Sequence, residues 1–200
     1  MNRAEKKPLA GLVLCGGGST RMGTEKALIP VAGRPLVLHV AALLERAADP
    51  VLIAPGRTGR LGRLGYEEVE DEVSDSGPLG GLVAGLAGSP HPLTAVVAVD
   101  MPFASPDLFT LLAGIHSDED AVVPRSASGP EPLHAVYASA AVPKLRRALA
   151  AGRLALRAAL SDLRVRWVDE DEWRSVDPSG RFALNLNRAE DLDLIEDPRR

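Results

Sequence analysis

Three consecutive glycines, Gly16, Gly17 and Gly18, follow the apolar run "GLVLC" (residues 11–15), and Arg21 and Lys26 come soon after. Glycine N–H groups approach an anion with no Cβ in the way. Arginine adds a planar fork that fits phosphate oxygens, and lysine a compact point charge. The combination suits an anion with several phosphates; the alternative is a tight turn carrying two solvated cations. Two familiar glycine-loop patterns fail on single residues. A dinucleotide fingerprint, G-x-G-x-x-G, needs glycine where Arg21 stands, and in a P-loop spaced by Gly18 and Gly23 the next residue should be lysine but is Thr24.

Carboxylates end two later apolar or alternating runs. Asp100 closes "AVVAVDMPF" and could hold Mg²⁺ against phosphate oxygens; a turn or helix-capping aspartate would look the same. Asp71 follows "EEVE", where Glu67, Glu68, Glu70 and Glu72 also allow a solvated charge run. In "SGPLGGLVAGL" (residues 76–86) the small residues would let a flat base lie against the backbone, or simply let a helix pack closely. Asn185 and Asn187 in "NLN" put two amides on one side of an extended segment, unless Asn187 serves as a helix cap. A phosphate monoester acceptor is largely ionised near neutrality, so His134 is not needed as a base. His39, at helical spacing in "LVLHVAALL", reads as a helix-surface or core residue, and Trp167 and Trp173 as packing residues.

These residues need a scaffold that gathers strand ends. Strands are expected at residues 11–15, 51–54, 67–70, 94–99, 121–124, 133–138 and 163–168. Helices are expected at 35–47, 79–86, 106–115, 143–151, 153–160 and 188–194, with Pro35 and Pro106 in first turns. "GLVLC" and "TAVVAV" are apolar at both parities, as strands covered on both faces are. The alternation predicts an α/β fold, a three-layer α/β/α sandwich with a mostly parallel central sheet. Ligands in such sheets collect outside the carboxyl ends of the strands. The glycine- and arginine-rich stretch 55–65 reads as a mobile surface loop.

The chain has 200 residues, 46% of them hydrophobic, with no long linker, which favours one domain spanning residues 1–200. A net charge of −4 argues against a general nucleic-acid or membrane-surface binder. Cys15 is the single cysteine, so no internal disulfide or multi-thiolate zinc site can form. The apolar stretch 8–15 is too short for a signal peptide, and no segment reaches the ~20 apolar residues of a membrane span. The default location is cytoplasmic.

The segment "LCGGGSTRMGTEKAL", followed by "GRPL", resembles the signature of the nucleotidyltransferases typified by molybdenum cofactor guanylyltransferase, the MobA family. Their pattern is approximately L-A-G-G-x-S-x-R-M-G-x-D-K-x-L, then G-[KR]-P-L; here Cys15 replaces the alanine and Glu25 the aspartate. "DMPF", "GPLGG", "PEPLHAVY" and "NLNRAEDL" resemble later family elements in the same order. The resemblance implies a Rossmann-like nucleotidyltransferase fold. It also implies Mg²⁺-dependent transfer of GMP from GTP to the terminal phosphate of molybdopterin, with release of pyrophosphate. On this reading Lys26, Arg21 and Asp100 are catalytic, and Asp100 is the metal ligand. The nucleotide would be bound by Leu14, Cys15, Gly16, Gly17, Gly18, Lys26, Asp71, Pro78, Leu79 and Asp100, and the acceptor by Asn185 and Asn187. Transient contact with proteins that deliver the cofactor or mature molybdoenzymes is implied as well. The alternatives are a cytidylyltransferase using CTP on the same or another phosphate acceptor, and a nucleotide-binding regulator without turnover.

Overall fold

Strand β1 (Leu9–Leu14) lies near the middle of the sheet, and its side chains alternate between two apolar layers. Leu12 and Leu14 point to one core cluster, Leu9 and Val13 to the other. The same division runs through β4 (Val51–Gly56) and β6 (Leu93–Ala98), which flank β1 in parallel. Strands buried on both faces read as continuous apolar runs for this reason. The structure, a computed structural model, describes residues 7–16, 25–31, 33–73, 76–186 and 191. Gly17, Gly18, Arg21, Asn187 and all but one residue of the expected helix 188–194 lie outside them.

The remaining elements in chain order are β2 (Pro30–Val31), β3 (Arg34–Pro35), α1 (Leu36–Leu44), β5 (Glu67–Glu70), α2 (Gly77–Gly88), α3 (Pro106–Ile115), β7 (Ala121–Ser126), β8 (Gly129–Pro130), β9 (His134–Ala138), α4 (Val142–Ala150), α5 (Leu156–Ala159), β10 (Val165–Val168) and α6 (Glu170–Trp173). The sheet order is β10-β7-β9-β6-β1-β4-β5, with β8 paired to β7. Helices α1 and α3 cover one face, and α2, α4 and α5 the other. The expected three-layer sandwich with a mostly parallel sheet is the fold observed.

β9 is antiparallel to both neighbours, β6 and β7. Only residues 127–133 separate it from β7, and a parallel return needs a crossover of a dozen residues or more. The reversal places the start of β9 at the carboxyl edge of the parallel strands, where the Leu133 carbonyl accepts from Ala98 N–H (3.0 Å).

Four local expectations need correction. Pro35, expected in a first helical turn, ends β3 and stands before α1, which begins at Leu36. The helix expected over 153–160 begins only at Leu156. α4 ends in a Schellman motif: Gly152, at φ 72°, donates to Leu149 O and Arg153 N–H to Ala148 O, which turns the chain out of helix. The β2–β3 hairpin was not foreseen, because two residues per strand carry no readable alternation. The stretch 55–65 is anchored at two points: Leu61 is buried and the Arg60 guanidinium is bonded on three sides. Its glycines supply positive-φ corners at Gly59 and Gly62 in place of the expected slack.

Candidate active site

Lys26 opens a single 3-10 turn, Lys26–Leu28, fixed by the fully buried Ala27. Asp100 sits in the turn immediately after β6, with Met101 buried beside it. Their side chains meet: Lys26 Nζ donates to Asp100 Oδ2 at 3.2 Å, across 74 positions of sequence. The lysine side chain is 12% exposed and the aspartate 29%, so the pair is partly shielded yet open on one side. A cation and a carboxylate therefore meet at the carboxyl edge of β1 and β6.

Two histidines and the chain's last described segment hold the Asp100 turn. His39 Nε2, on α1, lies 2.9 Å from the Pro102 carbonyl, and must carry a proton there to donate. His134 Nε2, on β9, accepts from Ser105 N–H at 3.0 Å. Leu186 N–H donates to Asp100 O at 2.8 Å. Leu186 is buried and Asn185 exposed, so Asn185 stands on the solvent side of a strand-like segment running past Asp100. Residue spacing gave no sign that His39 braces the loop after Asp100, because the contact joins an α1 surface position to a loop 63 residues away. Behind this loop a cleft of about 480 Å³ is lined by His39, Phe103, Asp177 and Arg181, with the Arg181 guanidinium 3.9 Å from the Phe103 ring centre.

His134 is fully buried, stacked on Phe109 at 4.0 Å and against Phe182 at 4.9 Å. It has no solvent access through which to exchange a proton. Burial pushes its pKa from 6.5 down to about 3, because the charged ring would lose its hydration. A base with a depressed folded pKa stabilises the fold above its unfolded pKa and loses that contribution as pH falls. Between pH 6.5 and about 3 the unfolded chain binds more protons, so stability rises with pH in that window. The slope contributed is at most about 1.4 kcal/mol per pH unit. Asp71 and Glu131, whose pKa values burial raises, slope the opposite way and persist in any His134 variant. Denaturant unfolding at pH 6 and pH 5 is expected to show a flatter pH slope in His134→Gln than in the parent. Equal slopes would contradict the burial account.

Asp71 immediately follows β5. Its N–H donates to Gly56 O, and Oδ2 accepts from Ser76 Oγ at 3.3 Å, just before α2. Oδ1 is buried with no partner among the described residues, and burial raises the carboxyl pKa. A buried acceptor left unpaired is costly unless a ligand completes it. The glycines of α2 explain how the carboxylate fits. A Cβ on Gly80 would lie 1.7 Å from Ser76 Oγ and 3.0 Å from Asp71 Oδ2; one on Gly81 would press on Leu14 and Ala54. Both therefore serve the close packing of α2 on the sheet and on Asp71, and neither forms an open shelf for a base.

Other expected nucleotide contacts are narrowed. The side chains of Leu14 and Leu79 are buried in the core of the α2 face, and the Leu14 carbonyl accepts from Val99 N–H. Cys15 N–H is taken by Ala54 O and its carbonyl by Arg60, and burial pushes the thiol up to about 12. That leaves Cys15 no free main-chain donor. Pro78 is half-buried in the first turn of α2 and Gly16 half-buried with open space around it.

For a metal, the donor set is informative. Among the described residues no group of three or more His, Cys, Asp or Glu side chains could hold an ion. The Asp100 carboxylate fits the needs of Mg²⁺, which keeps waters and binds through one or two carboxylates plus substrate phosphates.

Comparison with known proteins places this geometry in a family context. The family model described as "MobA-like NTP transferase domain" matches residues 11–167. A protein of Chloroflexus aggregans named "Probable molybdenum cofactor guanylyltransferase" is 37% identical over 94% of this chain and 93% of its own length. The "Molybdenum cofactor guanylyltransferase" of Desulfosudis oleivorans is 33% identical, over 94% of each chain. Among solved structures, molybdopterin-guanine dinucleotide biosynthesis protein A of Archaeoglobus fulgidus superposes with a TM-score of 0.82 at 27% identity, covering 94% of this chain and 96% of that one.

Proposed function

Because the chain belongs to the MobA-like NTP transferase domain family and is a nucleotidyltransferase, we propose that it transfers GMP from GTP to the terminal phosphate of molybdopterin. The observation that carries this reading is the 3.2 Å contact between Lys26 and Asp100. Simple nucleotide binding would not require a metal carboxylate beside the phosphate lysine. The names of the relatives support a molybdenum-cofactor acceptor.

In the proposed reaction an oxygen of the acceptor phosphate attacks the α-phosphorus of GTP. The new P–O bond forms as the bond to the β-phosphate bridging oxygen breaks, and pyrophosphate leaves opposite the incoming oxygen. The acceptor is already ionised, so no side chain need remove a proton. The barrier is mainly one of alignment and of bringing anions together. Lys26 neutralises the transferring phosphate, turning from Asp100 toward it. Asp100 would hold Mg²⁺, which when bound neutralises nucleotide oxygens. Arg21 and the amides of Gly16, Gly17 and Gly18 are assigned to the departing pyrophosphate through the family signature. Asn185 and Asn187 are assigned to the acceptor. The run of Asn185 past Asp100 supports its share of that role.

Asp71 supports guanine as the base. A carboxylate with an unpaired buried oxygen accepts hydrogen bonds and donates none. Guanine offers two neighbouring donors, N1–H and the 2-amino group, to such an acceptor-only side chain, whereas cytosine offers a single amino donor. A thermal-shift panel of GTP, CTP, ATP and UTP with Mg²⁺ tests this. A nucleotide at a hundredfold excess over Kd stabilises by about 2.7 kcal/mol. GTP is expected to shift the melting temperature well beyond the others, and an equal or larger shift with CTP would reject the guanine assignment.

A further inference from the structure

Arg60 belongs to none of the motifs that resemble the family signature, yet its guanidinium is among the most fully engaged cations described. Nε donates to Pro55 O at 2.6 Å, at the end of β4. Nη2 donates to Cys15 O at 2.8 Å, where the chain leaves β1. Nη1 pairs with the carboxylate of Glu25, the residue immediately before Lys26. One planar group thus joins two strand ends and the chain segment that delivers the lysine. The Arg60 side chain is 27% exposed and that of Glu25 31%, so solvent screens the pair only in part.

The geometry points to Arg60 as a positioning residue for Lys26, acting through Glu25. This inference rests on the role assigned to Lys26 above. The 3-10 turn carrying Lys26 is one turn long and has no side-chain cap at Glu25. Such a turn has little stiffness of its own. Restraints on it among the described residues include Ala27 inserted in the core and the Glu25 carboxylate held against the ends of β1 and β4. With Glu25 pinned, Lys26 Nζ arrives at Asp100. Glutamate at position 25, where the resembled signature has aspartate, is long enough here to reach the guanidinium. Arginine is required because three acceptors in different directions are met by a rigid fork and not by a single ammonium.

A double-mutant cycle tests this, with pyrophosphate release giving kcat and KM for GTP with Mg²⁺. Misplacing a catalytic group by about 1 Å can cost about 10²-fold. Arg60→Met is expected to lower kcat by about tenfold or more, with a smaller change in KM. Glu25→Gln should move kcat in the same direction, and Arg60→Lys should not restore it. In a Lys26→Ala background, Arg60→Met should add less than about a twofold loss, because residues that act through one another are not additive. An equal fold-loss in both backgrounds would mean a general structural role and overturn the inference. A folded Arg60→Met enzyme with normal kcat would do the same. Should Arg60→Met fail to fold, Glu25→Gln carries the identical cycle with almost no change in volume. Normal turnover in Lys26→Ala itself would instead strike the underlying assignment of Lys26, and with it this inference.

Discussion

Replacing Lys26 with alanine is expected to lower the rate of pyrophosphate release by about 10²–10³, equivalent to about 2.7–4 kcal/mol of transition-state stabilisation. The loss should appear in kcat and kcat/KM together, because the ammonium matters most when charge moves off the α-phosphorus. The fold should survive the change. The lysine contributes one partly exposed ion pair, and such pairs add only about 0–1 kcal/mol to stability. Circular dichroism and the melting temperature of the variant should therefore stay near those of the parent. If the folded variant kept near-normal turnover, the proposed reaction centre would be wrong. If KM rose with kcat unchanged, Lys26 would be a binding group alone.

Asp100→Asn is expected to cost a similar factor, about 10²–10³, by a different route. The amide keeps the size and the turn after β6, including the carbonyl that accepts from Leu186 N–H. It removes the carboxylate beside Lys26 and so the proposed anchor for Mg²⁺. The informative measurement is nucleotide-induced stabilisation with and without the metal. In the parent protein Mg²⁺ should add to the GTP shift, and in Asp100→Asn that increment should vanish. GTP alone should still bind the variant, since Lys26 then has no carboxylate competing for its charge. A variant with an undiminished Mg²⁺ response would remove Asp100 from the metal.

The two experiments also separate the proposed transferase from a nucleotide-binding regulator. A regulator would show the GTP shift without pyrophosphate release, and neither substitution would then move a rate.

Much of this was readable along the chain. The ends of α3 and β5 fall at the expected residues. Pro106 sits in a first helical turn. Lys26 and Asp100 stood out because their types follow apolar runs that could only be buried strands. Short elements were not readable. The β2–β3 hairpin and α6 span too few residues for a period to repeat, although Asp169 and Glu172 form a capping box once the helix is seen. His39 and Arg60 looked like surface residues because their partners lie 63, 45 and 35 positions away.

Local patterning in this protein therefore determined which segments are strands and helices, and which polar residues fall at the carboxyl ends of strands. Those outcomes depend on side-chain type and on spacing within a turn or two. Only the tertiary structure decided that β9 enters the sheet reversed, that Asp71 buries an oxygen with no partner among the described residues, and that Lys26 reaches Asp100. Each of these depends on strand order and register, which are set when distant segments compete to bury their faces against one another, and no window of neighbouring residues contains that competition.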